Sequence, residues 1–472
     1  MQPGRITAMA LAPGQGAAMR QLDLRSGWRR EALRTSLWWV PTLEVISAGL
    51  LFWAGNALDR AAYRGEITLP TWVISGTADA SRQILTALAA ALITVVGVVF
   101  SVILVALTLA GNQLGPRMLR NFMRDRGTQW TLGTFVATFT YAILVLISIG
   151  PGERGDFVPH ASISLVLALA LLDVLVLIYF IHHIAIQIQL PYVIASIAAD
   201  VAKAIAEENT PQPGGPQAGP APQELLRAMA ADHGVVTSSE SGYLQYVSHR
   251  TLMRIATEAD AVIHLLYRPG HFVVAGRTLA TVTPPRAAPQ VAEALRRAHL
   301  SGPYRSITQD ISFGIDQLVE IATRALSAAI NDTFTALTCI DWIGDCLRQV
   351  ALSWHPQVVH RDKDGYVRLI RTQATYDRLV QRGFEKVRQS SLGMPSVMIR
   401  ELQALADIMA QAPRPEQYAV LRQQADMIRR AAEQSITEPG DLADVLNRYD
   451  ALVELHERLL REKLGPHGKQ GS

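Results

Sequence analysis

The sequence is poor in charged residues and in cysteine. Asp, Glu, Lys and Arg make up 18% of the 472 residues, against about a quarter in a typical soluble domain. Hydrophobic residues account for 49%, and the mean hydropathy is +0.16. Two cysteines are too few for a disulfide-rich scaffold or a cysteine-rich zinc module. A net charge of +3 gives no support for a nucleic-acid partner. The composition therefore predicts a protein that lies partly in a membrane.

The apolar residues are concentrated in four segments, numbered here as spans one to four. Each reaches the roughly 20 residues that a helix needs to cross the hydrocarbon core of a bilayer. Residues 37–190 are therefore predicted to form a four-helix transmembrane domain, preceded by a cytoplasmic segment at 1–36. The helix of span two continues without a breaker from Arg82 to Gly115, roughly 50 Å, which exceeds the roughly 30 Å core. The four spans are residues 37–58, 84–110, 130–149 and 161–181.

Arginine is distributed unevenly among the connecting segments. Nine arginines from Arg20 to Arg126 precede span one or lie between spans two and three, and four lie in the other two loops. Because cytoplasmic loops are rich in Arg and Lys, both termini are predicted to face the cytoplasm of a bacterial inner membrane. Arg117, Arg120 and Arg124 share a helical face. They could attract anions to a pore mouth or bind anionic lipid headgroups, although topology alone accounts for them.

Beyond the last span, the composition becomes that of an ordinary soluble protein. Residues 191–232 are predicted to form a connecting helix and a Pro/Gly-rich linker. Residues 233–283 contain short strands around one helix and are predicted to form a small β barrel or sandwich-like module. Residues 284–472 are predicted to be helical. The fold class is therefore a membrane α-helical domain of four transmembrane helices followed by a cytoplasmic α+β region.

Three passages resemble a known bacterial family. They are PRMLRNFMRDRGTQWTLGTFVATFTYAIL at 116–144, SGYLQYV followed by RPGHFV, and FGIDQLVEIATRALSAAINDTFTALTCIDWIGD at 313–345. In these passages the chain is similar to the predicted-membrane-protein family catalogued as domain of unknown function twenty-two fifty-four. The resemblance implies a membrane protein over nearly the whole chain from the first span onward. It implies no particular activity and no site residue.

Small and hydroxylated side chains recur along spans two and three. Their spacing places them on one face of each helix, which predicts either the lining of a pore or a surface for close helix packing. Four spans are few to enclose a pathway, so a homo-oligomer with one such helix from each subunit at its axis is expected. The candidates for pore lining are Thr94, Gly97, Ser101, Thr108, Asn112, Thr134, Thr138 and Tyr141.

Two carboxyl side chains fall inside the predicted spans, and a charge in that position indicates a functional site by default. Asp173, near the middle of span four, could take up a proton, neutralise a cation in transit or hydrogen-bond a hydroxyl such as that of Thr138. Glu44, two turns into span one, could instead reach the interface. His182 and His183 follow at the end of span four and are candidates for interfacial anchoring or pH sensing.

Sequence motifs for catalysis, metal binding or cofactor binding are lacking, so an enzyme is not predicted. The leading hypothesis is an oligomeric ion channel or channel-like transporter with a cytoplasmic regulatory domain. Its predicted partners are membrane lipid, further copies of the same chain and an inorganic ion. The alternative hypothesis is a membrane-anchored sensor or scaffold, whose cytoplasmic domain binds a partner or ligand.

Overall fold

The computed structural model describes residues 38–71, 73–114, 125–152, 155–209 and 218–464. The chain divides into two compact units, Met1–Gln189 and Leu190–Ser472. The predictions made for Arg117, Arg120 and Arg124 lie outside the described residues.

In its described part, the first unit consists of long helices and a short β ribbon. The ribbon pairs β1 (Gly150–Gly152) antiparallel with β2 (Gly155–Phe157). The ribbon joins the third helix to the fourth. The helices are α1 (Trp39–Arg64), α2 (Ala78–Leu114), α3 (Arg126–Ser148) and α4 (His160–Gln187).

Three helices of the described residues are long and apolar enough to cross a membrane. They are Ala78–Leu109 within α2, and the whole of α3 and α4, which correspond to spans two, three and four of the sequence prediction. The predicted span one is present as α1, a helix of 26 residues. Glu44, Asp59 and Arg60 interrupt the apolar sequence of α1. The length and composition of α1 therefore do not establish that it crosses a membrane.

Helix α3 is the centre of the first unit, because it packs against α1, α2 and α4. Its Tyr141 and Val145 belong to one apolar cluster, and its Phe135 belongs to a second. Helix α2 has 37 residues and is about 55 Å long at the rise of an α-helix. Seven-residue spacing of buried side chains is typical of helices that pack at a shallow angle. On α2 these side chains are Leu85, Leu92, Val99 and Ala106.

The second unit contains two open sheets among its described residues. Its strands are β3 (Gly234–Thr237), β4 (Gly242–Val247), β5 (Val262–Leu265), β6 (Phe272–Val273), β7 (Thr278–Thr283), β8 (His299–Gly302), β9 (Val359–Arg361) and β10 (Val367–Arg371). The larger sheet has the order β3-β7-β5-β10-β9, and the smaller has the order β6-β4-β8. The pair β5 and β10 is parallel, with Ile263 opposite Leu369.

These sheets correct the prediction of a self-contained barrel or sandwich over residues 233–283. Strands β3 and β4, which both fall within residues 233–283, lie in different sheets. Each sheet also takes in strands from the region predicted to be wholly helical, namely β8 in one and β9 and β10 in the other. Short strands expose unpaired backbone groups at their edges. Partners distant in sequence satisfy those groups here, and a local pattern does not identify such partners.

The helices of the second unit follow the sequence pattern closely. Two helices follow residue 310 in succession, and Asp332 caps the second of them by accepting a hydrogen bond from the Thr335 N–H at 3.0 Å. The last three helices each begin at a proline, which the first turn of a helix tolerates. The helices are α5 (Leu190–Glu208), α6 (Pro222–Ala231), α7 (His249–Glu258), α8 (Ala288–Ala298), α9 (Ile311–Ala325), α10 (Thr333–Ser353), α11 (Tyr376–Ser390), α12 (Pro395–Gln411), α13 (Pro415–Ser435) and α14 (Pro439–Leu464).

Candidate functional site

The interior of the first unit contains a row of polar side chains along α3. Thr131, Thr138 and Tyr141 are buried, and Thr134 is half-buried between them. Their spacing of three and four residues places them on one side of the helix. That side faces the interior of the same chain, because its members contact residues of α1 and α4, as set out below. The polar face predicted for span three is therefore an internal one.

Asp173 of α4 meets this row at Thr138. The Thr138 hydroxyl donates to Asp173 Oδ1 at 3.3 Å, so the hydroxyl partner suggested by the sequence is the one found. Asp173 is 2% exposed, and its Oδ2 is buried without a hydrogen-bond partner. The described part of the chain also provides no ion-pair partner for this carboxyl. Asp173 is thus a buried acid held by a single hydroxyl.

Glu44 of α1 packs against the same helix. A Cβ atom at Gly133 would overlap Glu44 Oε2, so a residue without a side chain at that position lets the carboxyl approach the backbone of α3. The Thr134 hydroxyl lies beside Glu44 and donates to the Trp130 carbonyl at 2.9 Å. Both carboxyl oxygens of Glu44 are buried and make no hydrogen bond. Glu44 therefore points into the unit, which does not favour the expectation that it reaches the interface.

Asp59 of α1 binds the first turn of α4. Its carboxylate accepts hydrogen bonds from Ala161 N at 2.8 Å, Ser162 N at 3.0 Å and Ser162 Oγ at 2.6 Å. These donors belong to the N-terminal turn of a helix, where backbone N–H groups lack partners within the helix. A Cβ atom at Gly55 would lie 2.9 Å from Ser162 Oγ and 3.1 Å from the Tyr141 hydroxyl oxygen. Tyr141 and Ser162 therefore border the same small space.

Asp59 also lines a cavity of about 470 Å³. Tyr63, Asp156 and His160 also line it. Tyr63 donates its hydroxyl proton to the Gly155 carbonyl at 2.7 Å, which ties the β ribbon to α1. The cavity is partly open, so it connects the Asp59 end of the polar row with the surface of the unit.

At the opposite end of α3, His183 and Gln187 bind Asp125. The distance from His183 Nε2 to Asp125 Oδ2 is 2.8 Å, and Gln187 Nε2 donates to Oδ1 at 2.8 Å. Asp125 also caps α3 by accepting from Thr128 N at 2.7 Å. Burial would raise the pKa of Asp125, but the hydrogen bonds from Thr128 and His183 outweigh it and hold that pKa below its usual value.

The sequence singled out His183 but missed Asp125. That residue lies 58 positions away from His183, and the available signal was an Asp placed just before a helix as an N-cap. A Cβ atom at Gly127 would overlap the His183 ring, so this close approach needs glycine. His182, by contrast, is exposed. Asp59 was also missed, since its partners appear only when α1 and α4 pack together.

The polar stripe of α2 lies on the outside of the chain. Thr94, Gly97, Ser101 and Thr108 are exposed, and the three hydroxyls donate to backbone carbonyls of their own helix at 2.8 to 2.9 Å. A Cβ atom at Gly97 would meet no atom within 4 Å. The stripe is therefore unused by the helices of its own unit. Asn112 lies in α2, but its side chain is outside the described part of the chain.

In the second unit, the RPGHFV passage that carries part of the family resemblance meets Asp310. Arg305 donates to Asp310 Oδ2 through Nε at 2.9 Å and Nη2 at 2.7 Å, and Arg268 approaches Oδ1 at 3.4 Å. A Cβ atom at Gly270 would overlap the same carboxylate. Gly270 has a φ of 93°, as glycine in the third position of a type II Pro-Gly turn requires. A buried carboxylate paired with two guanidinium groups holds this junction together.

The described residues contain no group of three or more His, Cys, Asp or Glu side chains that could hold a metal ion.

Comparison with known proteins places the chain in a family. The family described as "Predicted membrane protein (DUF2254)" matches residues 34–407. The chain belongs to this family. It is also similar to a protein of Mycobacterium bovis and to one of Mycobacterium tuberculosis, both described as uncharacterized. Each is 28% identical over 439 residues, which cover 90% of this chain and 82% of the relative. No solved structure matches the chain.

Proposed function

We propose that this membrane protein is an ion channel or channel-like transporter with a cytoplasmic regulatory domain. The observation that carries the proposal is the pair of carboxyl groups inside the first unit, Glu44 and Asp173. Burying an ionisable group in hydrocarbon is costly, and such groups in membrane proteins usually mark an ion pathway. Neither carboxyl has an ion-pair partner among the described residues, so an ion-pair role in holding helices together does not account for them.

The proposed topology has four spans, with α1 as the first. Its polar residues Glu44, Asn56 and Asp59 point inward, while its outward surface is apolar and suits contact with lipid. By the positive-inside rule, the arginine distribution then favours an orientation in a bacterial inner membrane with both termini on the cytoplasmic side. The second unit would follow α4 directly into the cytoplasm. The exposed apolar residues of α1 include Trp39, Leu43, Ile46, Leu50, Leu51, Trp53 and Leu58.

The proposed assembly is a homo-oligomer that uses the outward stripe of α2. Thr94, Ser101 and Thr108 already satisfy their hydroxyl protons within the helix, and Gly97 leaves open space beside it. Such a flat stripe of small residues allows two helices to approach closely in a membrane. This supports packing between copies more strongly than lining of a wide pore. Copies would then meet at α2, with one polar row inside each chain.

The test is ion flux through the purified full chain in lipid bilayers. Conductance or flux of at least one ion is expected, and absence of flux for every ion, voltage and pH tried would refute the proposal. The mass of the protein in detergent checks the oligomer, since a strict monomer contradicts it. Ser101→Leu adds bulk to the stripe of α2 and is expected to lower the oligomeric fraction, with Ser47→Leu on the exposed side of α1 as the control.

The sensor or scaffold hypothesis has one supporting observation in the second unit. At the corner between α9 and α10, Ile330 is 49% exposed and Phe334 is 83% exposed. An apolar pair on a soluble surface suits a docking contact. A sensor or scaffold would carry no ion flux, so the flux measurement separates this hypothesis from the transport proposal.

A further inference from the structure

We infer that the ion transported is the proton, and that it passes through each chain along the polar row of α3. This inference rests on the proposed transport function and names its substrate class. The proposed route includes this row. It begins at the Asp125 and His183 pair at one end of α3, passes Glu44 and Asp173, and ends at Asp59 and its cavity at the other end.

Orphaned polar atoms mark this route. In a folded protein nearly all buried polar groups have hydrogen-bond partners, so each exception requires an explanation. Within the described part of the first unit, the exceptions gather between α3 and its neighbours and toward the cavity. The atoms are both carboxyl oxygens of Glu44, Asn56 Oδ1, the Tyr141 hydroxyl oxygen, His160 Nδ1 and Asp173 Oδ2. The carboxyl, phenol and imidazole groups among them can each accept and release a proton, as a proton relay requires.

The spacing of the groups suits proton transfer in steps. Glu44 touches α3 at Gly133, and Asp173 touches it at Thr138, five residues further. At the rise of an α-helix, the two contacts lie about 7.5 Å apart along the axis. Thr138, which binds Asp173, and Tyr141 are three residues apart on α3. The Thr134 hydroxyl beside Glu44 and the Thr138 hydroxyl on Asp173 would carry the proton between these heights together with water molecules.

The same geometry disfavours a metal cation. A hard cation such as Na⁺, Mg²⁺ or Ca²⁺ needs several oxygen ligands around one point. Glu44 and Asp173 contact α3 at different heights, and the described residues assemble no metal-binding group. A proton needs only one acceptor at a time, which a single carboxyl oxygen provides.

Both ends of the proposed route are suited to exchange protons with water. At one end, His183 is paired with Asp125 at 2.8 Å and its side chain is 21% exposed, and an imidazole can accept a proton on one ring nitrogen and donate one from the other. At the other end, Asp59 accepts from Ser162 Oγ at 2.6 Å and lines the cavity. Each transfer moves one proton from an oxygen or nitrogen donor to the next acceptor. After the proton leaves, every group regains its first state, so no other reactant is consumed.

The experiment uses the purified full chain in liposomes that contain the pH-sensitive dye pyranine. A potassium gradient with valinomycin sets the membrane potential, and dye fluorescence reports proton uptake. Wild type is expected to take up protons. Asp173→Asn and Glu44→Gln are expected to slow uptake by about 100-fold or more, as is typical when a positioned proton-transfer group is removed. Asp173→Glu keeps a carboxyl and is expected to restore part of the flux.

Asp79→Asn is the matched control, because Asp79 is an exposed carboxylate at the start of α2. It is expected to leave the flux unchanged. Gel filtration and thermal unfolding check that each variant is folded. If wild type conducts K⁺, Na⁺ or chloride but no protons, or if Asp173→Asn and Glu44→Gln keep the wild-type proton flux, the proton route is wrong and the transport proposal stands. If no ion moves, both fail.

Discussion

Glu401 makes the stability of the second unit depend on pH. It lies in α12 and is fully buried. Its Oε2 accepts a hydrogen bond from Ser391 Oγ at 3.3 Å, and its Oε1 has no partner. Burial raises the pKa of Glu401 to about 8, an effect that the Ser391 hydrogen bond and the charge of Arg388 only partly offset. At neutral pH the carboxyl is therefore mostly protonated in the folded chain and ionised in the unfolded chain.

The sign and size of the effect follow from these two states. Between the ordinary pKa of 4.5 and the folded pKa of about 8, the folded state holds a proton that the unfolded state has released. The free energy of unfolding therefore falls as pH rises through this window, and this contribution is fully present only below pH 4.5. At about 1.4 kcal/mol per pH unit, the loss between pH 5 and pH 7 is about 3 kcal/mol.

Glu401→Gln replaces the carboxyl with an amide of similar shape that does not titrate. Between pH 5 and pH 7, its free energy of unfolding is expected to fall by about 3 kcal/mol less than that of wild type. Denaturant unfolding of the purified chain at both pH values measures the difference. Glu454→Gln, at an exposed position of α14, is the control and should keep the wild-type dependence. Equal pH dependence in wild type and Glu401→Gln would refute the reasoning.

Two substitutions and one labelling experiment probe contacts of the two units. Asp59→Ala removes the acceptor at the first turn of α4 and should cost about 1–2 kcal/mol, measured as a lower Tm in detergent; an unchanged Tm contradicts this. Gly127→Ala places a Cβ atom against the histidine ring of α4 and should also lower Tm, whereas Gly49→Ala meets no atom within 4 Å and should not. Burial raises the pKa of Cys339 and Cys346 to about 12, so maleimide at neutral pH should label both thiols only after unfolding; rapid labelling of folded protein would count against this.

Most helices of this protein could be predicted from the sequence, because their signals are local. Apolar length identifies α2, α3 and α4 as candidate spans, and proline at the first turn fixes where the last helices begin. The cap of α10 by Asp332 is a contact between residues three apart, so it too is visible in the sequence. The sheets were predicted less well, since β5 pairs with β10 more than 100 residues later and no local pattern specifies that partner.

The candidate site divides in the same way. Hydropathy and spacing alone selected Asp173, Glu44 and the hydroxyl faces of α2 and α3, because a carboxyl group in an apolar helix is conspicuous in the sequence. Only the packing of α1 and α4 around α3 decided that one hydroxyl face is internal and the other external. Asp59 and Asp125 acquire their roles from partners on distant helices. Composition thus determined which part of the chain suits a membrane, and tertiary contacts determined which of its polar groups face the interior of the first unit.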